Sequence, residues 1–111
     1  MSNAPVDMRF LAEMTDDDPA AMAEFLSNFE VSAQRTTLEL RQACMAGLPL
    51  AAGDLAHRLK SAARWVGATH LGEICASLEK AGHAGQIELL RDLMVSFEEE
   101  MRIVRQVLDQ R

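Results

Sequence analysis

The chain has 111 residues, a length suited to one domain with one modest core. Hydrophobic residues make up 49% but aromatics only 5%, and tyrosine is absent, so the core must come from Leu, Ala, Met, Ile and Val, which suits packed helices and argues against strands. A formal net charge of −6 argues against nucleic-acid binding by phosphate neutralisation.

Ser2-Asn3-Ala4 resembles the scar of a cleaved tag, so residues 1–5 are read as a disordered or tag-derived leader and residues 6–111 as the domain. The N-terminus lacks the basic and apolar regions of a signal peptide. A short first helix is expected from Val6 to Met14, with Met8, Leu11 and Met14 on its apolar side. The acidic run Thr15-Asp16-Asp17-Asp18 stops it, and Asp18 followed by Pro19 is a cap and first position for the next helix.

That second helix is expected from Pro19 to about Ala46. Met22, Phe25, Leu26, Phe29, Ala33, Thr36, Leu40, Ala43 and Cys44 recur at spacings of three and four, which makes one apolar stripe. Gly47-Leu48-Pro49 ends it. A third helix follows from about Leu50 to Val66, with Ala52, Leu55, Ala56, Leu59, Ala62, Ala63 and Val66 inward and Gly67 as terminator. The fourth runs from about Thr69 to Ala81 and buries Leu71, Ile74, Cys75 and Leu78. Gly82-His83-Ala84-Gly85 makes the next turn, and the last helix runs from about Gln86 to Asp109 on Ile87, Leu90, Met94, Phe97, Met101, Val104 and Leu108.

Every linker is short, so neighbouring helices must run antiparallel. The expected fold is all-α: an up-down-up-down four-helix bundle with a short N-terminal helix. No segment is long and apolar enough to cross a membrane. Cys44 and Cys75 sit in apolar helical patterns and are expected as buried free thiols, which fits a reducing cytosol.

His57 falls off the apolar stripe of the third helix. Gly53, Asp54, Lys60, Ser61 and Arg64 share its face, which is expected to meet solvent, with small residues on either side of the imidazole. The turn between the third and fourth helices centres near Ala68; His57 lies eleven residues before it and Glu79 eleven after. An antiparallel hairpin sets such positions at one height, so Glu79 is placed to accept the Nδ1 hydrogen of His57 and leave Nε2 as a nucleophile. Lys60 and Arg64, with Arg58 on the flank, are cations available to phosphoryl oxygens.

Spacing alone leaves an ordinary surface histidine as the simpler explanation. The wording of the segment changes the balance: Leu55-Ala56-His57-Arg58-Leu59-Lys60-Ser61, then Gly67-Ala68, Leu71, Cys75 and Leu78-Glu79, several fixed residues over about 25 positions. This resembles the signature of the histidine-phosphotransfer (HPt) family. The resemblance implies a carrier that is phosphorylated on His57 by a receiver-domain aspartyl phosphate or a kinase and passes the group to another receiver. It implies Lys60 as the phosphate-side cation and Glu79 as the residue that orients the imidazole. Ser61 stands where relatives usually have glycine; it remains small, and its hydroxyl is a candidate phosphoryl contact alongside Arg64. Gly53, Asp54, Ala56 and Arg58 complete the expected docking strip, and Trp65 is expected to pack in the core.

The implied partners are a response-regulator receiver domain, a hybrid sensor histidine kinase or both, met by a monomer in the cytoplasm. No metal or cofactor is expected on this chain, magnesium belonging to the receiver. His70 and His83 are expected to be exposed and unpartnered. Two other functions stay open. A sensor-kinase phosphoacceptor segment usually has an acid after the histidine and a proline a few residues on; here Arg58 follows His57, and no proline comes after Pro49. A purely structural or adaptor bundle would make His57 dispensable.

Overall fold

The computed structural model describes residues 4–110. Five helices follow in order: α1 (Met8–Met14), α2 (Pro19–Met45), α3 (Pro49–Trp65), α4 (Thr69–His83) and α5 (Ile87–Asp109). No strand occurs among the described residues. The leader assigned to residues 1–5 lies, for residues 1–3, outside the described residues; Pro5 is half-buried and leads into buried Val6.

Helix ends differ from the expected ones by a residue or two, with one consequence for function. Val6 lies outside α1, whose start is capped by Asp7: its carboxylate accepts from the Phe10 backbone N–H at 3.1 Å. Val6 and Leu11 take the two positions of a hydrophobic staple, and both are buried. Asp18 caps α2 as expected, accepting from the backbone N–H of Ala20 at 3.0 Å and of Ala21 at 3.4 Å. α4 does not stop at Ala81 but runs on to His83, so Gly82 is helical rather than part of a turn. That extension carries His83 back alongside Gly53 and Asp54 of α3.

α2 packs on α3, α3 on α4, α4 on α5, and α5 closes back on α2. With short turns between them, successive helices alternate in direction. The core is aliphatic, with Leu26, Leu40, Leu71, Leu78, Leu90, Val104 and Leu108 fully buried around Phe97. Burial of each such side chain favours folding by roughly 1.5–3 kcal/mol relative to exposure. Met8 and Met14 contribute less than expected, because α1 buries only Leu11.

The α3–α4 pair is the closest in the bundle, and small residues explain why. Gly82 is so near α3 that a Cβ there would lie 2.6 Å from the Pro49 carbonyl oxygen and 2.7 Å from the Gly53 Cα. Ala63 comes near Gly72 of α4 in the same seam, a Cβ on Gly72 falling 3.9 Å from its own, and Ala52, Ala56 and Ala63 are fully buried. At the other end Gly67 takes a φ of +74°, the left-handed conformation that ends α3 at no steric cost. Its carbonyl accepts the Asp7 N–H at 2.9 Å, which ties the N-terminal segment to the α3–α4 turn.

Candidate functional site

His57 projects from the middle of α3 with its side chain 57% exposed. Its Nδ1 lies 2.9 Å from Oε2 of Glu79 on α4. The other carboxylate oxygen, Oε1, accepts from Lys60 Nζ at 2.5 Å. Glu79 and Lys60 are each less than one-fifth exposed, so this pair sits in the seam between the helices while the imidazole stands out of it. The Lys60 hydrogen bond holds the Glu79 carboxyl below the usual carboxylate range; partial burial opposes this, and the His57 hydrogen bond adds to the lowering.

An ionised carboxylate only accepts, so in the neutral ring Nδ1 carries the hydrogen. Nε2 then holds the lone pair. Among the described residues no hydrogen bond engages it. The arrangement is an exposed nitrogen nucleophile whose tautomer is set by a carboxylate, itself held by an ammonium one helical turn from the histidine.

The remaining expected site residues divide. Arg58 and Arg64 are exposed; the Arg64 side chain runs over Gly72 of α4, whose Cβ would be 3.4 Å from its Cγ. The Ser61 hydroxyl donates to the His57 carbonyl oxygen at 3.3 Å, so it is turned toward the helix backbone. Lys60 is engaged with Glu79 instead of standing open to an incoming group. Asp54 is exposed on the expected face.

Three expectations are corrected. Ala56 is fully buried and cannot be a docking contact. Gly53 is buried too: His83 covers it, a Cβ there falling 2.6 Å from the His83 Cδ2, so its smallness serves the α3–α4 approach rather than an external partner. Trp65 is 61% exposed instead of packed in the core. It lies seven residues after Arg58 and four after Ser61, which puts it in phase with the solvent face.

Two histidines expected without partners have neighbours. His83 Nε2 lies 3.0 Å from Asp54 Oδ1. His70 has Glu73 at 3.8 Å and Glu100 at 4.0 Å, close enough for weak ion pairing only. The signal for the His83 contact was present in the hairpin arithmetic: Asp54 is fourteen residues before Ala68 and His83 fifteen after it. The glycines around His83 mask that signal, because Gly82-His83-Ala84-Gly85 reads as a turn.

Comparisons with known proteins bear on the family and the fold. A model of the Hpt domain matches residues 24–110. The crystal structure of histidine-containing phosphotransfer protein B (HptB) from Pseudomonas aeruginosa is similar, with a TM-score of 0.90 and 27% sequence identity over 98% of this chain and 95% of that one. No curated protein matches the chain. The family match spans α3, α4 and α5 and most of α2, and includes the His57–Glu79–Lys60 cluster; the chain belongs to the Hpt domain family.

Proposed function

We propose that this Hpt domain is a phosphorelay carrier that takes a phosphoryl group on Nε2 of His57 and hands it to a receiver domain. The observation that carries this reading is the 2.9 Å contact of Nδ1 with Glu79, which leaves Nε2 as the exposed nucleophile. In the forward step Nε2 attacks phosphorus in line with the acyl oxygen of an aspartyl phosphate. The N–P bond forms, the O–P bond breaks, and the aspartate carboxylate departs. Nδ1 keeps its hydrogen, so the phosphorylated ring is a cation, and its charge develops beside the Glu79 carboxylate. The reverse step regenerates the neutral ring.

Lys60 has a role in both states under this reading. Before transfer it neutralises Glu79. Once the ring turns cationic, the carboxylate has a second positive partner, and the ammonium is released toward the phosphoryl oxygens one turn away. Arg58 and Arg64 add positive charge to the surface that an acidic partner meets. The divalent ion and the activation of the leaving group belong to the receiver, and this chain has no kinase activity of its own. The partners under this reading are a receiver domain, a hybrid sensor kinase or both, met by a cytoplasmic monomer. Among the described residues no helix is long and apolar enough to cross a membrane.

Incubation with labelled ATP alone and, separately, with a labelled phospho-receiver tests the assignment. The carrier reading expects label from the receiver and none from ATP. Autophosphorylation from ATP would mark a kinase, and no label from a panel of receivers would favour an adaptor bundle.

A further inference from the structure

The seam that holds His57 against Glu79 carries a second histidine–carboxylate contact one turn away, with the helices exchanged. Asp54 precedes His57 by one turn on α3, and His83 follows Glu79 by one turn on α4. The His83 ring lies across Gly53, filling the space a Cβ would need, and from there Nε2–H donates to Asp54 Oδ1 at 3.0 Å. Either charge state of the ring can supply that donor.

Without His83, the Asp54 carboxylate has two other uses. It is three residues from His57, so it can swing toward the approach to Nε2, and four residues from Arg58, a favourable spacing for a helix ion pair. Both are unfavourable to an anionic phosphodonor: one sets a like charge beside its path, and the other neutralises a cation that attracts it. Arg58 has no ion-pair partner among the described residues.

We infer that His83 is a positioning residue that ties the Asp54 carboxylate to α4, keeping it off both the approach to His57 and the Arg58 guanidinium. This rests on the reading of His57 as phosphoacceptor, but its test does not require a receiver. Phosphoramidate phosphorylates accessible imidazoles directly: Nε2 attacks phosphorus, the P–N bond breaks and ammonia leaves. Failure of the relay reading would show as absent exchange with receivers; failure of the present inference shows in the comparison of variants.

The experiment measures phosphorylation of His57 by phosphoramidate at low ionic strength in the wild type, H83A, D54N and H83A/D54N. Diethyl pyrocarbonate, a neutral reagent for the same nitrogen, serves in parallel, with the modified residue read by mass spectrometry. The expected result is a loss of about threefold with phosphoramidate in H83A, the size of one or two screened unit-charge interactions. H83A/D54N recovers most of that loss, and the neutral reagent reacts at the wild-type rate in H83A. An H83A rate equal to the wild type, a double variant as slow as H83A, or a matching loss with the neutral reagent would each overturn the inference.

Discussion

Nδ1 of His57 and Oε2 of Glu79 meet at 2.9 Å although 22 residues separate them in sequence. The contact depends on two helices approaching closely enough for a histidine and a glutamate to span the gap. It therefore links the packing of the α3–α4 seam to the reactivity of one exposed nitrogen.

Replacing Glu79 tests that link at the carboxylate. Glu79→Ala removes the acceptor that sets the tautomer and the charge beside the phosphorylated ring. Phosphotransfer from a phospho-receiver should slow about tenfold or more, the scale of one charge-assisted hydrogen bond, with little change in helical content. Rapid-quench kinetics beside circular dichroism would check this; an unchanged rate would reduce Glu79 to a structural partner of Lys60.

Replacing Gly82 tests it at the backbone. A Cβ at this position meets backbone atoms of Pro49 and Gly53, which cannot swing aside as a side chain can. Gly82→Ala should destabilise the bundle by about 1–3 kcal/mol through overpacking. Chemical denaturation would measure it. The same variant should slow phosphotransfer, because it moves α4 and Glu79 away from His57.

The acid limb of stability carries a signature of the same carboxylate. Lys60 lowers the Glu79 carboxyl in the folded protein, so folding is favoured above the value of the unfolded chain, and that contribution is lost as pH falls through the folded value. Denaturation midpoints compared between neutrality and about pH 3 should fall less in Glu79→Gln than in the wild type. Equal acid sensitivity would show that the Lys60–Glu79 pair contributes nothing measurable.

Cys75 offers a check on the core. It is buried, and burial pushes its thiol up to about 12, with Lys60 pulling weakly the other way. The thiolate is the reactive form, so iodoacetamide should label Cys75 only after unfolding. Fast labelling of the native protein would mean that the α4 core face opens readily.

Much of this was legible in the sequence because helical periodicity and the hairpin turn are local signals. The apolar stripe of α2 and the equal offsets of His57 and Glu79 from Ala68 needed no tertiary information. Features that depend on how near two helices lie were harder to see. In the sequence Gly53 reads as a small residue left open for a partner, whereas His83 of α4 lies against it; Ala56 falls both on the inward stripe and in the docking strip, and its burial decides for the stripe. Trp65 looked like core by its chemistry and was surface by its phase, a conflict that periodicity alone would have resolved correctly. Lys60 was expected to face the phosphoryl group; that it holds Glu79 in the unphosphorylated state depends on side-chain reach across the seam, which spacing does not encode.

The central claim is that the phosphoryl group rides on Nε2 of His57. The most direct measurement is transfer of radiolabel from a phospho-receiver to the wild type and to His57→Gln, followed by acid and base treatment and phosphorus NMR of the product. The account predicts acid-labile, base-stable label on the wild type, an Nε2-phosphohistidine resonance, and no label on His57→Gln. Label that persists in His57→Gln, or a phosphoryl group on Nδ1, would contradict it.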